Sequence, residues 1–284
     1  MPEISKKNIL KIFRIANILL FIIYASTIAV SLLKKNSVEK EGSILQNNQK
    51  EKIRFIEIRS GNESEINFEK KGLLWTVSDN DKNNPTLAIA DSNMVNALLE
   101  NTCKKSKMIK KADNKTSLVP FELTEEQSIR ITFRDSKGSV LTDFYLGKNN
   151  LHTHNTAFRY ADENTVWEKE FNAEKSTDIN SWAEHLIYPE FISEKNTGLT
   201  RGRISKLRPS ENAIPEKIIK KEFQESSKII LRIYSAGENY LVEPEFITGN
   251  SFDPEAKEAL KFLKFNYTVS AYTFERLLAE GKNE

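Results

Sequence analysis

A single cysteine, Cys103, stands in 284 residues, so no internal disulfide can brace the fold. Histidine is almost as scarce, at three positions, which leaves little material for a histidine-rich metal centre. Glycine occurs ten times, never in a Gly-x-Gly-x-x-Gly or phosphate-cradling pattern, and no Gly-x-Ser-x-Gly elbow is present. Those absences remove the common nucleotide-binding loops and the α/β-hydrolase nucleophile. Net charge is nearly absent as well, at +2. Hydrophobic residues, at 39%, are too few for a polytopic transporter and too many for a disordered chain. What remains is enough apolar material for one large domain or two modest ones.

The small net charge hides an uneven distribution. Residues 1–35 hold six cations, Lys6, Lys7, Lys11, Arg14, Lys34 and Lys35, against Glu3 alone, and the remainder carries 36 cations against 39 acids. Between the two basic groups, residues 15–33 (IANILLFIIYASTIAVSLL) are uncharged. As a helix they span roughly 28 Å, close to the hydrocarbon core of about 30 Å. A buried helix of a soluble core and a cleaved signal peptide are the alternatives, the latter with Ala29-Val30-Ser31 as a small-residue cleavage site. The run continues past that site through Leu32 and Leu33 behind a long basic segment, which favours a retained signal-anchor. Four cations before the span and three after it (Lys34, Lys35, Lys40) orient it with the N-terminus inside. The expected organisation is a cytoplasmic basic segment over 1–14, a transmembrane signal-anchor over 15–33 and a polar stalk over 34–52. The body then lies outside the bacterial cytoplasmic membrane.

From Ile53 the pattern alternates. Ile53 and Phe55, a Ser60-Gly61-Asn62 turn, Glu65–Glu69, and Leu73–Val77 after Lys71-Gly72 predict a β-meander. Asp91 or Ser92 caps a helix in which Met94, Val95, Leu98 and Leu99 form an apolar stripe ending near Cys103, itself read as a small core residue. An apolar knot follows at Leu118–Leu123. Alternation returns at Ser128–Arg134 and Val140–Gly147 about an Asp135–Gly138 turn, and at Ala157–Tyr160 with Thr165–Glu168. The spacing predicts a short helix around Asp178–Leu186. Further on, strands are expected at Ile204–Arg208, Lys228–Tyr234 and Tyr240–Val242, and a helix capped by Asp253 over Pro254–Phe265. The hairpins beginning at Lys52 and Lys228, each followed by a capped helix, are compatible with a degenerate internal duplication. The overall expectation is an α+β class: an antiparallel β-rich body over 53–191, a second α+β subdomain over 192–284, and a few short helices.

The order of elements from Lys52 to about Phe191 resembles a bacterial domain-of-unknown-function family. The resemblance rests on the hairpin before Gly72-x-x-Trp75, the helix Met94–Asn101, the Leu118–Leu123 knot and Ile129–Phe133. It continues through Phe144-Tyr145-Leu146-Gly147, the Phe158/Val166 hairpin and Trp182 with Leu186. That family occurs behind an N-terminal membrane anchor and in auxiliary components of gliding-motility-type ABC transporters. Its relatives usually carry Gly in the knot before the last Leu. Glu122 occupies that position here, which argues against a tight left-handed turn. The resemblance implies an extracytoplasmic, membrane-tethered β-rich domain with no assigned activity.

Few residues suggest chemistry. His152-Thr153-His154 has metal-like spacing on a strand, yet Asn149, Asn150 and Asn155 around it suggest an exposed loop, and His185 stands apart. Glu65, Glu69, Glu125, Glu126, Glu168 and Glu170 read as solvated surface charges, although a carboxylate pair is not excluded by counting. The basic run Arg201-Gly202-Arg203, Lys206 and Arg208 lacks interleaved aromatics and reads as a strand's solvent face. The reading therefore expects no catalytic residue, metal, cofactor or nucleic-acid partner. It expects a non-enzymatic adaptor serving an ABC-transporter-type envelope complex, its partners being the bilayer and membrane-complex subunits. A glycan- or lipid-binding module with Trp75 or Trp167 exposed in a groove, and an extracytoplasmic enzyme of unrecognised type, are the alternatives.

Overall fold

The computed structural model describes residues 17–24, 26, 39–61, 64–192, 200–223 and 226–280. The chain is α+β and mostly antiparallel sheet. Fifteen described strands form a ten-stranded sheet, ordered β1-β6-β10-β9-β8-β7-β2-β3-β4-β5, and a five-stranded sheet, ordered β11-β15-β14-β13-β12. In the first sheet β2 (Ile53–Ser60), β3 (Ser64–Lys71), β4 (Leu74–Asp79) and β5 (Leu87–Ile89) form the expected meander. The uneven spacing of Ile53 and Ile56 has a local cause. A register shift between Ile53 and Phe55 against β7 lets both isoleucines face the core. Hairpins β7 (Ile129–Asp135) with β8 (Val140–Asn149), and β9 (Asn155–Tyr160) with β10 (Val166–Glu170), continue the sheet as expected.

Helix α1 (Ser92–Cys103) begins where the sequence places it, with the Asp91 carboxylate accepting from the backbone N–H of Asn93 at 2.8 Å and of Met94 at 3.4 Å. Val95, Leu98, Leu99, Thr102 and Cys103 form its buried stripe. Its C-terminus is closed from two directions. The Ile44 and Leu45 N–H groups donate to the Thr102 carbonyl at 3.1 and 3.2 Å, and the Lys169 ammonium donates to the Asn101 and Lys104 carbonyls at 3.2 and 3.0 Å. A cation at the negative end of a helix is electrostatically favoured and satisfies carbonyls that lack intrahelical donors.

This arrangement corrects the polar stalk. Residues 39–52 belong to the folded body: β1 (Glu39–Gly42) pairs with β6 (Ser106–Ala112), Ile44 and Leu45 are buried, and Asn47–Lys52 is a 3-10 turn. The helix expected near Asp178–Leu186 is also corrected. It is one 3-10 turn, Ile179–Ser181, after which Ala183 bridges to Ala90 and Leu186 to Arg201. The four-residue spacing of Trp182 and Leu186 arises in chain that links the two sheets. A third correction concerns Glu122, which adopts φ 56° and ψ 39°, the left-handed turn its side chain argued against. The turn is held by Glu122 N–H donating to the Val119 carbonyl at 3.0 Å and Leu123 N–H to that of Leu118 at 2.9 Å.

The second sheet comprises β11 (Arg203–Ser205), β12 (Lys217–Glu222), β13 (Lys228–Ala236), β14 (Asn239–Ile247) and β15 (Asn266–Ser270). Helix α2 (Pro254–Lys261) has the expected Asp253 cap but stops short of Phe265, and α3 (Ala271–Glu280) follows β15. One continuous apolar cluster runs from Ile53 and Phe133 in the first sheet to Ile229, Tyr267 and Leu277 in the second half. Tyr267 seals the junction, its hydroxyl donating to the Glu184 and Leu186 carbonyls at 3.2 and 3.3 Å. Gly202 lies so close that an added Cβ would sit 2.5 Å from the Tyr267 Cβ. Both compared hairpins exist, β2–β3 and β13–β14, but β4 and β5 intervene before the first capped helix and no strand intervenes before the second.

Candidate functional site

The N-terminal cations Lys6, Lys7, Lys11, Arg14, Lys34 and Lys35 lie outside the described residues, as does much of the 15–33 span. Within that span residues 17–24 are helical. Ile18 through Tyr24, seven successive residues, are each between 55% and 72% exposed. At 100° per residue they occupy every face of the helix, so each of its faces is exposed. No helix among the described residues is long and apolar enough to cross a membrane.

The histidine pair lacks the strand geometry that its spacing suggested. His152 and His154 sit in an exposed turn rather than a strand, with His154 at φ 56°, so the shared face that alternation supplies is missing. No group of three or more His, Cys, Asp or Glu poised for a metal occurs among the described residues. His185 is instead part of the junction between sheets, its ring nitrogens 2.8 Å from the Gly202 carbonyl and 2.7 Å from that of Asn180. Cys103 is free and buried, and burial raises its thiol above the usual range, the opposite of a nucleophile's requirement.

The carboxylates divide into two kinds. Glu65, Glu69 and Glu170 are partly exposed and pair with Arg59, Lys71 and Lys104. Exposed pairs of this sort contribute little to stability. Glu168 departs from the surface reading: only 6% of it is exposed. Strand β10 is covered on both sides, with Glu168 and Val166 under the Leu118–Leu123 knot and Lys169 against the end of α1. Burial, assisted by the neighbouring Lys104, pulls the Lys169 ammonium down to about 8. Alternation could not reveal these residues, because it presumes one wet face.

The basic run also serves the fold. Lys206 spans Asp79 and Asp81, 2.9 Å from each, while the Asp81 carboxylate accepts from the Asn83 and Asn84 N–H groups. The Lys206 contact and these N–H groups hold Asp81 at about 2. The lysine follows β11, Asp79 ends β4 and Asp81 lies just beyond it, so the contact fastens one sheet to the other beside a cleft of about 520 Å³ lined also by Arg59 and Asp178. Of the tryptophans, Trp75 and Trp182 are buried, and half-buried Trp167 lies under the Lys40 ammonium, 4.2 Å from its ring centre.

The segment carrying the family resemblance has a tight geometric core. The knot closes over β8 at Gly147, where an added Cβ would lie 2.2 Å from the Phe121 carbonyl oxygen and 2.8 Å from that of Glu122. Leu118 and Leu123 pack there on Tyr145, Ala157 and Val166, and Arg159 stacks 3.9 Å from the Tyr145 ring centre while donating to the Leu123 carbonyl. No family model matches this chain, no curated protein matches it, and no solved structure matches it.

Proposed function

We propose that this chain is a membrane-tethered, non-enzymatic adaptor, an accessory component of an ABC-transporter-type envelope complex. Its N-terminus lies in the cytoplasm and its body on the outer side of a bacterial cytoplasmic membrane. The observation that carries the tether is the helix at residues 17–24, in which Ile18 to Tyr24 expose large hydrophobic side chains on every face. Such a surface needs a nonpolar solvent, and a bilayer supplies one. The cations flanking the uncharged run set its direction.

The adaptor role rests on the family resemblance. Its knot and Phe144–Gly147 strand meet at a glycine with no room for a side chain, and Glu122 adopts the backbone conformation for which relatives use Gly. Tethering would raise the local concentration of partners sharing the membrane, so modest contacts suffice. The test is fractionation of the full chain followed by crosslinking in native membranes and identification of the captured proteins. The expected result is resistance to alkaline carbonate extraction and capture of transporter subunits. Release into the soluble fraction would sink the tether, and a protein crosslinked to no transporter subunit would sink the adaptor role.

A further inference from the structure

The chain from Trp182 to Ile187 is a strap joining the two sheets. Its first half is bonded to the first sheet and its α1 connection: the Asp91 N–H donates to the Trp182 carbonyl at 2.7 Å, and the Glu184 N–H to that of Ile89 at 2.8 Å. Its second half is bonded to the chain leading into β11. There the Gly202 N–H donates to the His185 carbonyl at 2.9 Å, and the Ile187 N–H to that of Thr200 at 3.0 Å. Half-buried His185 therefore stands where the strap changes partners. Its ring adds a further link. Nδ1 lies 2.8 Å from the Gly202 carbonyl oxygen, and Nε2 lies 2.7 Å from that of Asn180, in the turn before the strap.

A neutral imidazole has one N–H and one lone pair, and a carbonyl oxygen only accepts. The neutral ring can therefore make one of these two hydrogen bonds, while its other nitrogen turns a lone pair towards a carbonyl oxygen. The imidazolium, with two N–H groups, makes both. We propose that His185 is a proton-operated latch between the two sheets: its imidazolium ties Gly202 to Asn180, and loss of the second proton loosens the strap. Closure takes up a proton, so acid favours it, and it weakens as pH rises across the interval of about 5 to 8 in which histidine changes charge.

The charged groups around the ring act otherwise. On the strap, the Glu184 carboxylate accepts from the Leu186 N–H at 2.8 Å. Burial raises Glu184, Asp91 at the α1 cap adds to this, and His185 and Arg201 oppose it. Protonation of Glu184 weakens its hydrogen bond, so this group loosens the strap in acid, the opposite direction. Asp178, which accepts from the Asn180 N–H at 3.0 Å, acts in that same sense. Arg201 stays charged throughout, and burial raises the Tyr267 phenol far above neutral pH. The latch is independent of the adaptor role and needs no membrane partner.

The test is amide hydrogen exchange of the full chain at pH 5, 6, 7 and 8, corrected for the intrinsic rate at each pH. Protection of segments 185–187 and 200–204 should fall about tenfold from acid to alkali, the order expected for one hydrogen bond to a charged group, with β7 and β8 unchanged. The fall should persist in Glu184→Gln and vanish in His185→Phe. Nitrogen NMR of the full chain labelled with 15N-histidine gives a second reading without touching the latch. The His185 signals are those that remain in the exposed-turn double variant His152→Gln/His154→Gln. Both His185 nitrogens should still carry protons at a pH where His152 and His154 of the wild type have become neutral. Equal protection at pH 5 and 8, a fall that survives in folded His185→Phe, or a His185 ring with one bare nitrogen at that pH would each overturn the proposal.

Discussion

Lys169 makes stability depend on pH in a direction unusual for lysine. Its ammonium is buried at the end of α1, facing the Asn101 and Lys104 carbonyls, and titrates at about 8 rather than the ordinary 10.5. Above pH 8 the folded chain releases this proton while the unfolded chain keeps it up to 10.5, so the unfolded state binds more protons and stability rises with pH. Each pKa unit is worth about 1.4 kcal/mol, and the gain by pH 10 is roughly 2–3 kcal/mol. In Lys169→Met the stem is kept and the titrating group removed. Guanidinium denaturation of wild type and Lys169→Met at pH 7, 8, 9 and 10 isolates the effect as a difference, in which other titrations cancel. Half-buried Tyr160 and buried Tyr267, both raised by burial, act in the opposite sense only above pH 10. The expected difference is small at pH 7, where a buried charge and two lost hydrogen bonds oppose each other, and grows in favour of wild type towards pH 10. A difference flat to within about 0.5 kcal/mol over that range would refute the reasoning.

Three further substitutions probe the fold. Gly147→Ala drives a Cβ into the Phe121 carbonyl and should destabilise by about 1–3 kcal/mol, read as a lower thermal midpoint. Glu122→Gly relieves a left-handed backbone costing about 1–2 kcal/mol but loosens the unfolded chain. The net expectation is a gain of up to about 1 kcal/mol in denaturant midpoint analysis, and a loss would contradict the strained turn. Asp91→Ala removes the acceptor for two α1 N–H groups and should cost about 1 kcal/mol, with faster amide exchange confined to the first turn of α1.

Sequence pattern revealed the hairpins and the helix caps because each depends on local chemistry. Ile129 to Phe133 alternates, and Asp91 and Asp253 precede apolar stripes. Strand β6 escaped notice because its residues, SKMIKKA, include three lysines and only Met108 is buried. Its strand character comes from pairing with β1 and β10, both distant in sequence. The 39–52 segment looked like a linker because Ile44 and Leu45 are isolated apolar residues. Their role is set by the α1 C-terminus they close. Glu168 and Lys169 were hidden by the same fact, a strand buried on both faces, which composition alone reads as surface.

The placement of β1 imposes a timetable on synthesis. This strand is among the first parts of the body to leave the ribosome, yet among the described residues its one strand partner is β6, itself held in the sheet by β10. Its edge of the sheet cannot be completed until Glu170 has been made. Until then α1 and β6 are present, but β6 lacks the neighbour that holds it in the sheet. The near-N-terminal edge of the first sheet is therefore closed late, by a contact of high sequence separation.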